Sequence, residues 1–273
     1  MPIYAYTRQE LRHSLARQMN DIITGVVSSP ASGTFVCALT EWEKPDDYFN
    51  DWIEVYCYNG VGITTSGNPT DWDNTSHTLT FKPAATLTAG DLVEMHEKFT
   101  VALYNTYINL AIEMVAKEAL VDKTDTTIEL VDGTYQYTLP AQFLYIYTIE
   151  LESSTADLYD EQKPISAEKW RIINGATTKL EFIKNLYTPT DERKIRIRGL
   201  ASPSVLDTDS EECPINPAYI VQQAAALMHQ SRVRGSGVDS EMHETQMKLS
   251  QAMADRIRTT LQVGPGGAFP VES

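Results

Sequence analysis

The side chains able to do chemistry are few and scattered. Five histidines (His13, His77, His96, His229, His243) and three cysteines (Cys37, Cys57, Cys213) are spread over 273 residues. The cysteines show neither Cys-x-x-Cys spacing nor the even number of a disulfide framework. His96-Glu97 is not followed by a second histidine four residues after the first, so zinc-protease spacing fails. There is no G-x-x-x-x-G-K-S/T phosphate loop, no G-x-G-x-x-G after a strand and no G-x-S-x-G elbow. Ser166-Ala167-Glu168-Lys169 matches the S-x-x-K of penicillin-recognising enzymes, but the supporting Ser-Asp-Asn and Lys-Thr-Gly motifs are absent. Asp71-x-Asp73-x-Thr75 opens like a calcium loop, yet position six is Ser76 rather than Gly, and position twelve is the cation Lys82. The acids at Asp46-Asp47 and at Asp207, Asp209, Glu211 and Glu212 read as solvated loop residues before they read as a catalytic pair. No enzyme class, cofactor or metal is expected.

Composition narrows the remaining classes. Twenty-two Lys and Arg against 37 Asp and Glu give a formal net charge of −15. That balance opposes a free-standing nucleic-acid binder, which needs a clustered cationic face, and it opposes docking on anionic lipid. Hydrophobic residues make up 42 %, enough to bury a core. No apolar run approaches the ~20 residues of a membrane span, and Met1-Pro2-Ile3-Tyr4 does not open a secretory signal. Length alone suits two or three modules.

The elements that must position these residues alternate between helix and strand. Thr7, with Glu10 three residues on, has capping-box spacing; Leu11, Leu15, Met19 and Ile22 then share a face, and Gly25 offers a C-cap. Residues 34–95 change to short strands and turns, including Trp52–Tyr58 closed by Asn59-Gly60. Between residues 24 and 96 two cations face ten acids, a net charge of −8. Helical periodicity returns over 97–121, with Val101, Tyr104, Ile108, Ala111, Ile112, Val115 and Ala119 on one stripe. A second β-region follows, opening with a hairpin of Thr127–Val131 and Tyr135–Leu139 about Asp132-Gly133, and later alternating Ile195 and Ile197 with Arg196 and Arg198. Of 29 threonines, 24 lie between residues 24 and 190, which also favours strands there. Asn216-Pro217 starts a third helix and Asp239 or Ser240 a fourth, with Met242, Leu249, Met253 and Ile257 facing inward. Residues 263–273, with Val263, Gly264, Pro265, Gly266, Gly267, Phe269 and Pro270, should form no regular element and read as an extended arm.

The fold class expected is α+β. Residues 1–24, 97–124 and 214–262 make a helical bundle, in which Leu15, Ile108, Leu227 and Met253 share one core. Residues 25–96 form an inserted acidic β-module and residues 125–213 a β-sandwich, with 263–273 as the arm.

The order of several motifs resembles a known family. Asp46-Asp47-Tyr48-Phe49-Asn50-Asp51-Trp52-Ile53 opens a strand, and Ala89-Gly90-Asp91-Leu92-Val93-Glu94-Met95-His96 closes the module. Tyr107-Ile108-Asn109-Leu110-Ala111-Ile112 is similar to an "A-I-N-x-A-I" helix, and Tyr135–Pro140 to a "Y-x-L-P" strand and turn. Together they resemble the neck proteins of tailed bacteriophages, in particular head-to-tail adaptors. The resemblance implies a ring of copies of the chain, dodecameric as is typical, between portal and tail or tail-completion proteins, with no catalytic residues and no membrane partner. It places the protein in the virion neck after assembly in the host cytoplasm, and it makes residues 263–273 a docking arm for the portal or a neighbouring subunit. DNA would pass through the lumen without specific binding, past Asp46, Asp47 and Asp51, or Asp207, Asp209 and Glu211. Two other readings stand beside it. One is another virion component (tail tube, tail terminator or baseplate). The other is a carbohydrate- or surface-binding β-sandwich using Trp42, Trp52 and Trp72.

Overall fold

The computed structural model describes residues 6–37, 44–83, 87–140, 143–153, 158–159, 161, 163–190, 192–233, 240–261 and 269–270. They fall into two compact units, Met1–Met114 with Val205–Thr260, and Val115–Ser204 with Leu261–Ser273. The chain is α+β, with four α-helices among the described residues.

In the first unit, strand β1 (Tyr6–Thr7), which pairs antiparallel with β14 (Glu212–Cys213), leads into helix α1 (Arg8–Gln18). The Thr7 hydroxyl accepts from the Glu10 backbone N–H while the Glu10 carboxylate accepts from the Thr7 N–H, so both halves of the capping box form. The helix stops earlier than Gly25. Asn20 takes the left-handed turn at φ 51°, a conformation that asparagine tolerates better than most residues, and Gly25 sits inside the next strand. Leu11 and Leu15 are fully buried, and α1 packs against the third helix.

Six antiparallel strands then close into a barrel. They are β2 (Ile23–Ala31), β3 (Thr34–Cys37), β4 (Glu54–Asn59), β5 (Ser66–Asp73), β6 (Thr78–Lys82) and β7 (Leu92–His96), in the order β2-β3-β6-β5-β4-β7. The inward positions fill it with Phe35, Val55, Trp72, Leu79, Phe81, Val93 and Met95, and Phe49 enters from the loop before β4. Strand β5 is built of Ser66-Gly67-Asn68-Pro69-Thr70-Asp71, a composition that signals turns. It pairs as a strand because barrel closure demands it, and the small Gly67 lets Phe81 and the Lys82 backbone come close: a Cβ there would lie 2.7 Å from Phe81.

Helices α2 (Val101–Val115), α3 (Pro217–Val233) and α4 (Ser240–Arg258) complete this unit up to Met114. The Val101, Tyr104, Ile108, Ala111 and Ile112 stripe of α2 is buried as its spacing predicts. Asn216 caps α3 through the Ala218 N–H, with Pro217 as first helical residue. Helix α4 corrects the expected inward face. Met242, Leu249 and Met253 are exposed, Leu227 of α3 is half-buried, and the buried residues of α4 are the small Ser250 and Ala254. Close approach to the alanine-rich α3 selects small residues at the contact, so Met253 shares no core with Leu15 and Ile108.

In the second unit, β8 (Val121–Asp125), β10 (Phe143–Leu151), β13 (Ile195–Ala201) and β15 (Phe269–Pro270) form a sheet ordered β15-β10-β13-β8. Strands β9 (Gln136–Thr138), β11 (Trp170–Ile173) and β12 (Lys179–Phe182) form another, ordered β11-β12-β9. Ile146, Ile149, Ile195 and Ile197 from the first share one core with Trp170, Leu180 and Phe182 from the second. Ile195 and Ile197 point in while Arg196 is half-buried and Arg198 exposed, as their alternation predicts. Two expectations are corrected here. The central helix ends at Val115 rather than near residue 121, because Val121–Asp125 is recruited by β13. The 127–139 hairpin does not form: the Asp132-Gly133 turn is present, with Gly133 at φ 72°, but residues 128–130 bond along 192–195 and β9 pairs with β12.

Candidate functional site

The cysteines are free and buried, and burial pushes the thiols of Cys57 and Cys213 up to about 11. They are inert as nucleophiles. Asp73 closes the β5–β6 turn by accepting from the backbone N–H of Thr75 and Ser76 and from the Ser76 hydroxyl, so the calcium-like spacing is a hairpin turn. Ser166 precedes a short 3₁₀ turn (Ala167–Lys169), outside any cluster of reactive groups. Among the described residues no group of three or more His, Cys, Asp and Glu could hold a metal ion.

The densest polar cluster lies inside the first unit. Arg12, wholly buried on α1, donates from Nε to Glu94 of β7 at 2.8 Å and grips Asp209 with two further bonds of 2.8 Å. Arg8 adds a 3.0 Å bond to Asp209. His13 Nε2 lies 2.5 Å from the second Glu94 oxygen. Burial would raise the Glu94 carboxyl, but His13, His96 and Arg12 outweigh it and hold it at about 2. His96 donates from Nδ1 to the Asp21 carbonyl at 2.7 Å. Asp21 in turn accepts from the backbone N–H of Glu97, Lys98 and Phe99 and from the Tyr104 hydroxyl. Glu54 of β4 accepts from the Val101 N–H at 2.6 Å, capping α2. Every carboxylate here is bound to a partner from another element. The arrangement fastens α1, the barrel, α2 and the 205–211 segment to one another, and a carboxylate ionised down to about pH 2 offers no proton for acid catalysis near neutrality.

The Gly-Asp step and the acidic-aromatic turn also hold the barrel together. Asp91 is buried and accepts from the backbone N–H of Val61, Gly62 and Thr88. Asp46 accepts from the Asn74 N–H, Asp47 accepts from the Asn50 amide, and Phe49 makes edge contacts with Trp52 and Trp72.

The other sequence-predicted residues separate. Asp46, Asp47 and Asp51 are exposed near one end of the barrel, and Asp207 is exposed beside the 205–211 turn. Asp209 is neutralised by Arg12 and Arg8, which, against its burial, hold its carboxyl low. Glu211 accepts from the backbone N–H of Asp207 and Thr208, which lowers its carboxyl too. Trp72 is buried in the barrel core and cannot serve as a sugar platform; Trp52 is half-buried against that core, and Trp42 lies outside the described residues. Val263, Gly264, Pro265, Gly266 and Gly267 of the arm also lie outside them. Phe269 and Pro270 correct the expectation of no regular structure: as β15 they pair with Ile146 and Tyr145 of β10. Two residues suffice because they extend an existing sheet edge.

Two helices expose apolar side chains, which the sequence reading did not single out on α2 and set facing inward on α4. On α2 these are Leu103 (36 % exposed), Leu110 (39 %) and Met114 (47 %), and on α4 Met242 (48 %), Leu249 (49 %) and Met253 (45 %). A second heptad-spaced stripe beside the buried one was the available signal.

The described residues thus hold buried charges that fasten elements to one another, and two helices with exposed apolar faces. A family model, SU10 adaptor protein, matches residues 7–267. The chain belongs to that family and is a bacteriophage adaptor, a structural virion component and not a member of an enzyme class, which bears out the resemblance carried by its motifs. Adaptors of this kind interact with other virion proteins. No curated protein matches the chain. Among the described residues no helix is long and apolar enough to cross a membrane.

Proposed function

We propose that this protein forms the head-to-tail adaptor ring of a tailed phage, seated between portal and tail, with DNA passing through its lumen. The observation that carries the reading is the family match across nearly the whole chain. Copies assemble on the portal in the host cytoplasm, remain in the virion neck, and present a second surface to tail or tail-completion proteins. Passage without adhesion calls for a surface that repels phosphate, which the barrel supports with the exposed Asp46, Asp47 and Asp51; Asp207 and Glu211 are a second acidic set, from which the paired Asp209 drops out. Residues 263–273 are the arm that docks on the portal or the next subunit. The test is a cryo-EM reconstruction of the particle neck. A closed ring of this chain between portal and tail is expected; its density in the tail tube or baseplate, or its absence from the particle, would overturn the reading.

A further inference from the structure

We propose that α4 is a releasable strap, opening from α3 as one cooperative unit while α1, the barrel and α2 stay folded. The seating of the helix carries the first part of the argument. Of its large apolar side chains, Met242, Leu249 and Met253 are exposed, Met247 and Ile257 are half-buried, and the residues it buries are the small Ser250 and Ala254. Apolar area removed from water is the main favourable term that keeps a helix in place, so this seat contributes little. The other helices are held differently. Helix α2 buries Val101, Tyr104, Ile108, Ala111 and Ile112; α1 buries Leu11, Leu15 and the paired Arg12; α3 buries Tyr219, Ile220 and Met228.

The chemistry of the seam carries the second part. Gln223 of α3 and Gln251 of α4 exchange two amide hydrogen bonds of 3.2 Å. Nearly two turns away along α3, His229 meets His243 of α4, Nδ1 to Nδ1, at 2.8 Å. Gln18 of α1 reaches the Ser250 hydroxyl at 3.4 Å. On opening, each of these bonds is replaced by bonds to water, so they fix the register of the two helices more than they hold them together. The ion pair of Lys248 with Glu244 stays within α4. The seam is also wet. A groove of about 420 Å³ runs beside it, lined in part by Ala226 and Leu227 of α3 and by Met247 and Ala252 of α4. An element whose contacts are small, polar and open to water belongs to the low-stability end of a fold and opens before the core does. Release bares Gln223, Ala226 and Leu227 of α3, and it frees α4 to take another seat without unfolding the unit that carries it.

Hydrogen exchange of the purified full chain at neutral pH reads the opening. Amides of residues 247–253 should exchange about 100-fold faster than those of residues 220–228, and at one common rate along α4, as a unit that opens at once does and fraying ends do not. Gln223→Cys with Gln251→Cys sets a disulfide across the seam, and the three native cysteines are buried and should stay silent. Oxidised, this variant should slow exchange in α4 about tenfold or more, and reduction should restore the fast rate. Gln223→Leu with Gln251→Leu turns the amide pair into an apolar contact and should also slow α4 about tenfold, in a chain whose circular dichroism is unchanged. Protection of α4 equal to that of α3, a gradient of rates from its ends inward, or fast exchange under a closed disulfide overturns the strap. Leucines that fold and leave the rate as it was overturn the polar seam as its cause.

Discussion

Arg12 and Asp209 are 197 residues apart, yet they meet through two parallel hydrogen bonds of 2.8 Å, with the guanidinium wholly buried. The pair ties the first helix to the acidic segment that precedes α3. Because Glu94 takes the remaining Nε–H, removing the guanidinium would leave the fully buried Glu94 with only His13 and His96 beside it, and Asp209 with only Arg8 as a cation.

Arg12→Met should therefore cost about 3–5 kcal/mol, the range for breaking a buried ion pair from one side. Chemical denaturation of the free chain measures it. Arg12→Met combined with Glu94→Gln should recover part of the loss, since the second change removes the buried charge that has lost its arginine. A loss below about 1 kcal/mol for the single variant would show that the network does not fasten the unit.

A second prediction separates backbone strain from crowding. Gly60 and Gly90 both have positive φ, at 117° and 94°. A Cβ at Gly60 would lie 2.1 Å from the Asp91 carboxylate, whereas at Gly90 nothing lies within 4 Å. Gly90→Ala should cost about 1–2 kcal/mol of strain. Gly60→Ala should exceed it by at least about 2 kcal/mol, because Asp91 holds three backbone N–H groups and cannot step aside freely. Equal costs in thermal melting would refute the role given to Asp91.

What could be read in the sequence was mostly what local chemistry decides. Thr7 with Glu10, Asn216 with Pro217, and the Ile195 to Arg198 alternation all behave as their spacing implies. What could not be read depends on distant partners. Strand β5 is written in turn-forming residues and is a strand because β4 and β6 flank it. Asp132-Gly133 makes its turn, but the chain before it finds partners 62 to 67 residues away and β9 after it finds partners 41 to 45 residues away. Arg12 amid the buried leucines of α1 makes sense only once Asp209 and Glu94 are known. The methionines of α4 carry a further lesson: heptad spacing marks an apolar face without telling whether it meets the chain's own core or another chain.

Acid should weaken the first unit in two stages. His229 of α3 and His243 of α4 place their Nδ1 atoms 2.8 Å apart, so one donates and the other must be unprotonated there. Burial, and then the neighbouring His243, lower His229 to about 4, below the unfolded value of about 6.5. A depressed histidine contributes stability that is complete above about 6.5 and is lost as pH falls through 4, worth up to about 3 kcal/mol. Glu94, held at about 2, contributes stability that is complete above its unfolded value of about 4.5 and lost only below it. Melting temperatures should fall first between pH 6.5 and 4, then more steeply below 4.5. His229→Asn should flatten the first stage and spare the second. A wild-type chain equally stable at pH 7 and pH 5 would rule out the histidine stage.

Deleting residues 263–273 tests the arm. The described contacts of that segment are backbone pairings of Phe269 and Pro270 with β10, two residues at a sheet edge. At about 0.5–1.5 kcal/mol per net hydrogen bond, their removal should cost no more than about 2 kcal/mol, and the truncated chain should keep its fold by circular dichroism and melting. The proposed role lies elsewhere, in docking on the portal or a neighbouring subunit, where a Gly- and Pro-rich segment can lie extended along a groove without giving up a helix or strand of its own. Particles built with the truncated chain should then accumulate as filled or emptied heads lacking tails. Complete, infectious particles would remove the docking role. A stability loss above about 5 kcal/mol would instead make the segment part of the fold of the second unit, with β15 as an obligatory edge strand.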